Sequence, residues 1–299
     1  MLGRLAPGVC TQVVAVGNQQ QIRNMATLKQ VQQRLKSVKN IQKITQSMKM
    51  VSAAKYARAE RDLKAARPYG QGAVQFYERA EVEAPENAQK QLYVAMTSDK
   101  GLCGAVHTNI AKIIRSRLGE PDAENVMVFC VGDKSRNMLQ RLYGKHILAV
   151  ATELGRLPPT FGDACKISSA ILTSGYEFQS GKIVYNRFKS VVSYEQKDLP
   201  LFDQKSVEAA PKLAVYDSLD SDVMQSYIEF SMASMIYFAL KEGACSEQSA
   251  RMTAMDNSSK NAGEMIEKLT LTFNRTRQSV ITGELIEIIS GAAALSDAN

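Results

Sequence analysis

Residues 252–280 read MTAMDNSSKNAGEMIEKLTLTFNRTRQSV, and this stretch decides the fold. An apolar or small residue recurs in it at alternating steps of three and four. These positions are Met252, Met255, Ser259, Ala262, Ile266, Leu269, Phe273, Thr276 and Val280. Such spacing is the heptad repeat of a coiled coil, in which one seam of the helix faces a partner helix. The sequence therefore predicts a long C-terminal helix with a single packing seam.

The predicted C-terminal helix extends in both directions from this stretch. No proline follows Pro211, and the acidic run 217–222 suits the positive end of a helix dipole. Beyond Val280 the heptad phase slips by one residue and then continues. The later positions are Ile281, Leu285, Ile288, Ala292 and Leu295. An unbroken helix from Asp220 to Leu295 would be more than ~100 Å long.

A second seam lies near the N-terminus, after a capping-box pattern at residues 27–30. It comprises Leu28, Val31, Leu35, Val38, Ile41, Ile44, Met48 and Val51. The spacing includes one three-residue stammer near Ile41. Pro68 is the first helix breaker, so this helix is predicted to end at Arg67.

The two terminal helices are the segments with compatible seams, so they are expected to pair as an antiparallel coiled coil. The seam residues expected to be buried in that pairing are Leu35, Ile44 and Val51 with Ile266, Leu269 and Phe273.

Strand-like and helix-like segments alternate between the terminal helices, which predicts βαβ units around a mostly parallel sheet. Strands are expected at 91–97, 126–131, 146–151 and 182–194, and helices at 99–118, 133–143 and 164–176. The predicted fold class is α/β plus a long antiparallel coiled coil, with a Rossmann-like domain inserted between the terminal helices. The predicted segments are 1–25, 26–67 (N-terminal coiled-coil helix), 68–216 (α/β domain) and 217–299 (C-terminal coiled-coil helix and apolar tip).

Charge is distributed unevenly along a chain whose net charge is +7. Residues 26–67 carry 11 Lys and Arg against Glu60 and Asp62, whereas residues 217–299 carry 12 acidic and 6 basic residues. A basic helix of this kind could follow phosphates. However, its basic residues interleave with the seam, and Tyr56 is its one aromatic residue. A coiled-coil nucleic-acid binder is therefore the third-ranked reading, and no nucleic acid is expected as a partner.

The first 25 residues contain Arg4 and Arg23 and no acid, which is typical of an organelle-targeting peptide. We expect this segment to lie outside the fold. The most apolar uninterrupted run, 230–240, has 11 residues, whereas a membrane span needs ~20. The sequence therefore predicts a protein without a membrane span.

Neither a cofactor site nor a metal site is predicted. Gly101-Leu102-Cys103-Gly104 follows the first strand but lacks the GxGxxG spacing, and the turn at 131–134 resembles a phosphate loop only loosely. The two histidines, His107 and His146, belong to no cluster, and the cysteines form no CxxC pair. No catalytic residue is predicted, although an α/β enzyme with helical dimerisation arms is the second-ranked reading.

The C-terminal tip, residues 288–295, contains no charged residue and few side chains that form hydrogen bonds. An exposed apolar surface of this kind marks an interaction site. The sequence therefore predicts that another protein encloses the tip.

Four segments resemble signatures of the gamma subunits of ATP synthase. They are residues 40–55, 98–104, 246–257 and 281–292. The resemblance covers about 26–295 and is closest to the mitochondrial form, with which the acid-free leader agrees. Gly283 departs from the family pattern, which usually has Lys or Gln there, and it is expected to soften the helix below the tip.

The resemblance implies a non-catalytic role as the central rotor stalk. The implied partners are the hexamer of alpha and beta subunits, the delta and epsilon subunits of the stalk, and the membrane c-ring. The implied location is the matrix side of the mitochondrial inner membrane. Proton flow would turn the c-ring, and the stalk would transmit torque to catalytic sites on the beta subunits.

The resemblance also implies roles for individual residues. Arg277, Gln278, Thr282 and Glu284 correspond to the family's catch region, and Met48 with Lys49 corresponds to the position that contacts the beta-subunit lever. The residues implied to sit in the bearing that holds the tip are Ile288, Ile289, Ala292 and Leu295.

Overall fold

The computed structural model describes residues 28–83, 90–121, 123–213, 216 and 220–296, with side chains described up to residue 293. The expected targeting peptide and the capping threonine at position 27 lie outside the described residues. The chain divides into two compact units. One comprises residues 45–257, and the other joins the residues up to 44 with those from 258 onwards.

Eleven helices and strands longer than three residues follow one another in the described residues. They are α1 (Leu28–Ala80), β1 (Gln91–Met96), α2 (Val106–Leu118), β2 (Val126–Val131), α3 (Asp133–Tyr143), β3 (Ile147–Ala151), α4 (Phe161–Leu172), β4 (Ser180–Phe188), β5 (Tyr194–Phe202), α5 (Gln204–Glu208) and α6 (Ser221–Ser296). The predicted fold class is confirmed, since long terminal helices flank an α/β segment.

The five strands form one sheet in the order β3-β2-β1-β4-β5. Strands β1 to β4 run parallel to one another, and β5 is antiparallel to β4. Side chains alternate across the sheet, so each strand contributes to two cores. Val128 and Cys130 face a cluster with α2 and α3, whereas Phe129 and Val131 face a cluster with α1, α4 and α6.

The terminal helices pack antiparallel within residues 45–257. The Lys49 ammonium lies 2.6 Å from the Asp256 carboxylate. Further along, a Cβ on Gly70 would lie 2.3 Å from the Phe238 ring, so the helix backbones approach closely there. Residue numbers thus rise on α1 as they fall on α6, which is the predicted antiparallel pairing.

In the other unit, the start of α1 packs against α6. Val31 and Val38 are buried on α1, as is Ala262 on α6. A Cβ on Gly263 would lie 3.3 Å from the Gln42 amide nitrogen. Leu35 lies half-buried on α1, and Ile266, Leu269, Phe273 and Thr276 lie half-buried on α6 at steps of three and four.

The seam of α1 differs from the predicted one after Val38. Ile41, Ile44 and Val51 are 52%, 57% and 57% exposed, so the expected burial of Ile44 and Val51 and the stammer near Ile41 are wrong for this chain. The heptad instead continues without a stammer through polar positions. These are Gln42, Thr45, Lys49 and Ser52, of which Thr45 and Ser52 are buried. The apolar criterion failed because small polar side chains occupy the seam here.

Helix α1 also continues through Pro68 to Ala80, beyond the predicted end at Arg67. A proline within a helix removes one backbone hydrogen bond and costs about 3 kcal/mol. Buried residues on both sides, including Leu63, Ala66 and Tyr77, hold the helix in place against that cost.

Two further predictions in the α/β segment are wrong. Residues 99–105 precede α2 as a loop rather than forming its first turns, because Leu102 and Gly104 adopt positive φ angles of 64°. The single strand predicted over 182–194 is instead a hairpin of β4 and β5. Its turn is closed by hydrogen bonds between Ser190 and Ser193, which the alternating pattern did not reveal.

Candidate partner-binding surface

The end of α6, residues 277–293, groups six exposed large apolar side chains on one helix. Every residue in this segment is exposed. The exposed large side chains are Val280, Ile281, Leu285, Ile286, Ile288 and Ile289, with Ile288 and Ile289 reaching 68% and 66%. They point in several directions around the helix, whereas a surface helix normally has one apolar stripe. A helix that is apolar on most sides is suited to enclosure by other proteins.

Polar residues occupy the first turns of this exposed segment. Arg277, Gln278 and Glu284 are exposed, and none of their side chains has an ion pair or a hydrogen bond within the described residues. The Thr282 hydroxyl donates a 2.9 Å hydrogen bond to the Gln278 carbonyl oxygen of its own helix. The guanidinium of Arg277 therefore remains available for a carboxylate of another protein.

Ala292 is exposed together with the two tip isoleucines, whereas the side chain of Leu295 lies outside the described part. The four predicted tip residues are therefore placed on one helix end, and three of them are described as exposed.

Met48 and Lys49 lie on α1, where the other predicted contact was placed. Met48 is half-buried, and Lys49 is held by the ion pair with Asp256 described above. Close by, Met50 and Val51 are 63% and 57% exposed, and sequence reasoning missed them as surface residues. Extending the heptad through polar residues would have placed them outside the seam.

The carboxyl end of β1, where an α/β sheet would hold a dinucleotide, is occupied by the chain itself. In such sheets the ligand lies where neighbouring strands connect in opposite directions, here between β1 and β4. Ala239, Leu240 and Gly243 of α6 line this place and leave a cavity of about 40 Å³. That volume accommodates water and is far smaller than a ligand pocket of 300–1,000 Å³.

A buried ion pair fixes the β1–α2 loop against α6. Arg251 pairs with Glu247 one turn away, and both side chains are at most 8% exposed. The Arg251 guanidinium also donates hydrogen bonds of 3.2 and 3.3 Å to the Gly101 carbonyl oxygen. Two of the signature segments, 98–104 and 246–257, are therefore joined by these bonds.

Burial shifts the pKa values of one histidine and two cysteines in the unit 45–257. Burial lowers the pKa of His107, whose Nε2 lies 3.1 Å from the Lys100 carbonyl oxygen, so the imidazole is neutral at pH 7. Burial raises the pKa of Cys103 to about 11 and that of Cys245 to about 12, which keeps both thiols protonated. Within the described ranges, no three His, Cys, Asp or Glu residues are grouped to hold a metal ion.

No helix in the described part of the chain is long and apolar enough to cross a membrane.

The structure defines a class of protein that works through protein partners. Its features are the paired terminal helices, the inserted α/β sheet whose ligand place is filled, and the exposed apolar helix end.

Comparison with known proteins gives this class a family. The protein family described as ATP synthase matches residues 27–295. The mitochondrial ATP synthase subunit gamma of Drosophila melanogaster is 70% identical over 93% of this chain and 93% of its own length. The mitochondrial F(1) complex subunit gamma of Rattus norvegicus is 55% identical over 90% of this chain and 100% of its own length. The chain belongs to the family of ATP synthase gamma subunits.

Solved structures agree with this fold. A chain of the Euglena gracilis mitochondrial ATP synthase superposes with a TM-score of 0.76 at 21% identity, covering 90% of this chain and 94% of that one. A chain from the central stalk and c-ring of the Tetrahymena thermophila enzyme gives a TM-score of 0.63 at 26% identity, covering 72% and 99%.

Proposed function

We propose that this chain is the central stalk of a mitochondrial ATP synthase and transmits torque between a membrane c-ring and a catalytic head. The observation that carries the proposal is the exposed end of α6, whose apolar side chains have no cover within the described residues. Its partners are the hexamer of alpha and beta subunits, the delta and epsilon subunits of the stalk, and the c-ring. The complex works at the mitochondrial inner membrane, with this chain peripheral on the matrix side.

The apolar tip serves as the part enclosed by the alpha and beta hexamer. Removing Leu285, Ile288 and Ile289 fully from water is worth at most about 1.5–3 kcal/mol for each side chain, since each is already partly covered. Dispersion contacts of this kind lack the preferred directions of hydrogen bonds, so the tip can turn in its sleeve without fixed resting angles.

The polar turn below the tip makes the contact that depends on angle. Arg277 and Gln278 are exposed on the same helix turn, and an arginine can form two parallel hydrogen bonds with a carboxylate. Such bonds form at one rotor angle and break at another. Thr282 and Glu284 extend this surface by one to two turns.

The exposed part of α1 supplies the second contact, with the lever regions of the beta subunits. Met48 and Lys49 belong to it, and the neighbouring Met50 and Val51 add exposed apolar surface. Since Lys49 is already paired with Asp256, a beta-subunit carboxylate would share this lysine rather than meet a free charge.

Coupling follows from the asymmetry of these contacts. A stalk with a different surface on each side contacts each beta subunit differently at any moment. Only differential contact free energy can shift a conformational equilibrium, so the three catalytic sites are biased toward different states as the stalk turns. The chain itself is non-catalytic, which fits the filled ligand place beside β1.

The proposal is tested by co-purification and by measuring how tightly ATP hydrolysis is coupled to proton pumping. The tagged chain should bring down a large complex with ATPase activity, while the chain alone should have none. Replacing Arg277 and Gln278 by alanine should lower the protons pumped per ATP hydrolysed several-fold. Arg275→Ala, an exposed arginine on the same helix, is the matched control and should leave that ratio unchanged. An unchanged ratio in the double variant, or ATPase activity of the isolated chain, would refute the proposal.

We also propose that residues 1–25 are a leader peptide, which is cleaved off before the protein joins its complex. Mass spectrometry of the protein taken from the organelle should then find an N-terminus near Ala26, and intact Met1 would contradict this.

A further inference from the structure

A cleft of about 250 Å³ lies within the unit 45–257, between α1, α6 and the loop that connects β3 to α4. Its apolar lining comes mainly from Ala59, Leu157, Pro158, Pro159 and Ala244. None of these residues belongs to the surfaces proposed above for the alpha and beta subunits.

Besides Lys241, three basic residues line this cleft: Lys55 and Arg58 on α1, and Arg156 on the loop. All three are exposed, and none of them has an ion pair or side-chain hydrogen bond within the described residues. Unpaired cations converging from two separate segments on one cleft create a positive potential there.

The acidic residues at the cleft do not neutralise these cations. Asp62 accepts a 3.1 Å hydrogen bond from the ammonium of Lys241, which also lies 5.5 Å from the centre of the Tyr237 ring. Glu247 is engaged by the buried Arg251. Both carboxylates are therefore already paired within the chain, and the three free cations keep their charge for a ligand.

We propose that this cleft binds a small organic anion with an apolar body, such as an aromatic carboxylate or sulfonate. A cavity of about 150 Å³ accommodates benzene. A cleft of 250 Å³ therefore holds a ring and leaves room for one acidic group. The ring contacts the prolines and alanines, and the acidic group accepts hydrogen bonds from Arg58 and Arg156. A bound anion ties the β3–α4 loop to α1.

The site can be tested on the full chain with a fluorescent reporter. The chain contains no tryptophan, and Leu157 at the cleft is 80% exposed, so Leu157→Trp adds a single reporter at little cost to folding. Three probes are compared. Benzenesulfonate carries both a ring and a negative charge, inorganic phosphate carries the charge alone, and benzyl alcohol carries the ring alone. Saturation-transfer NMR with benzenesulfonate on the unmodified chain repeats the measurement without the substitution.

The expected result is saturable binding of benzenesulfonate, tighter than that of either single-feature probe. The R58Q/R156Q variant should bind at least about tenfold more weakly, since two charge-assisted hydrogen bonds are lost. The matched control is Arg141→Gln, an exposed arginine on α3, and it should leave the affinity unchanged. Circular dichroism shows that each variant is folded. Non-saturable binding, equal affinity for benzyl alcohol or phosphate, or an unchanged affinity in R58Q/R156Q would each overturn the proposal.

Discussion

Two regions of one helix, α6, use the same kinds of residue for opposite purposes. Residues 228–251 bury most of their apolar side chains, with Met232, Met235 and Ile236 at most 2% exposed. Residues 277–293 contain four isoleucines, one leucine and two alanines, yet none of the residues in this region is buried. The first region stabilises the fold of this chain, and the second stabilises a contact with another. Apolar content alone therefore does not reveal which partner covers a helix.

The largest expected effect on stability comes from comparing one arginine in each of the two regions. Arg251→Ala would leave Glu247 buried and unpaired, and breaking a buried pair costs about 3–5 kcal/mol. Arg277→Ala in the exposed region should change the stability of the isolated chain by less than about 0.5 kcal/mol. Urea unfolding of both variants measures this difference. Similar stabilities for the two variants would contradict the assignment of Arg251 to the core.

A matched pair of isoleucines sharpens the comparison for apolar residues. Ile236 is fully buried, so Ile236→Ala should lower the free energy of unfolding by about 2–5 kcal/mol. Ile288→Ala should leave the stability of the isolated chain unchanged and instead weaken assembly with the catalytic head. The measurements are urea unfolding and co-purification. Equal losses of stability would mean that the tip packs on its own chain.

Alanine substitutions at two glycines should change stability in opposite directions. A Cβ at Gly70 would lie 2.3 Å from the Phe238 ring, so Gly70→Ala should destabilise the unit 45–257 by about 1–3 kcal/mol. A Cβ at Gly283 would meet nothing within 4 Å, so Gly283→Ala should stabilise the helix locally by up to about 1 kcal/mol.

Urea unfolding measures the loss of stability in the Gly70→Ala variant. Hydrogen exchange measures the local effect of Gly283→Ala, and amides near residue 283 should exchange more slowly. Faster exchange there would show that Gly283 does not soften the helix.

The sequence predicted the regular elements where local pattern and tertiary contacts agree. Strand 126–131 and helix 133–143 have the predicted bounds, and half-buried residues follow the C-terminal heptad from Met252 to Thr276, apart from buried Met255 and Ala262. These elements are either continuously apolar or regularly periodic, so their sequence pattern allows only one interpretation.

Prediction failed where tertiary contacts override local preference. Pro68 is held inside α1 by the buried residues around it, and Thr45 and Ser52 are buried in the seam instead of the expected Ile44 and Val51. The turn between β4 and β5 rests on hydrogen bonds of Ser190 and Ser193, which no apolar pattern encodes.

The candidate surface was only partly accessible from the residues alone. The uncharged run 288–295 indicated a covered tip without any knowledge of the fold. The roles of Arg277 and Gln278 came from family resemblance, since exposed polar residues on a helix look alike whatever they contact. The cleft beside Arg58 and Arg156 brings together segments about 100 residues apart, and only the folded chain shows it.

The central proposal, that this chain rotates within a catalytic head, is tested most directly by observing rotation. The complex is fixed to a surface through its beta subunits, and a bead is attached through Cys165 of this chain, which is exposed. Addition of ATP should make the bead turn in one direction, in steps that follow the threefold arrangement of the head. A bead that stays still while the same complexes hydrolyse ATP would contradict the account.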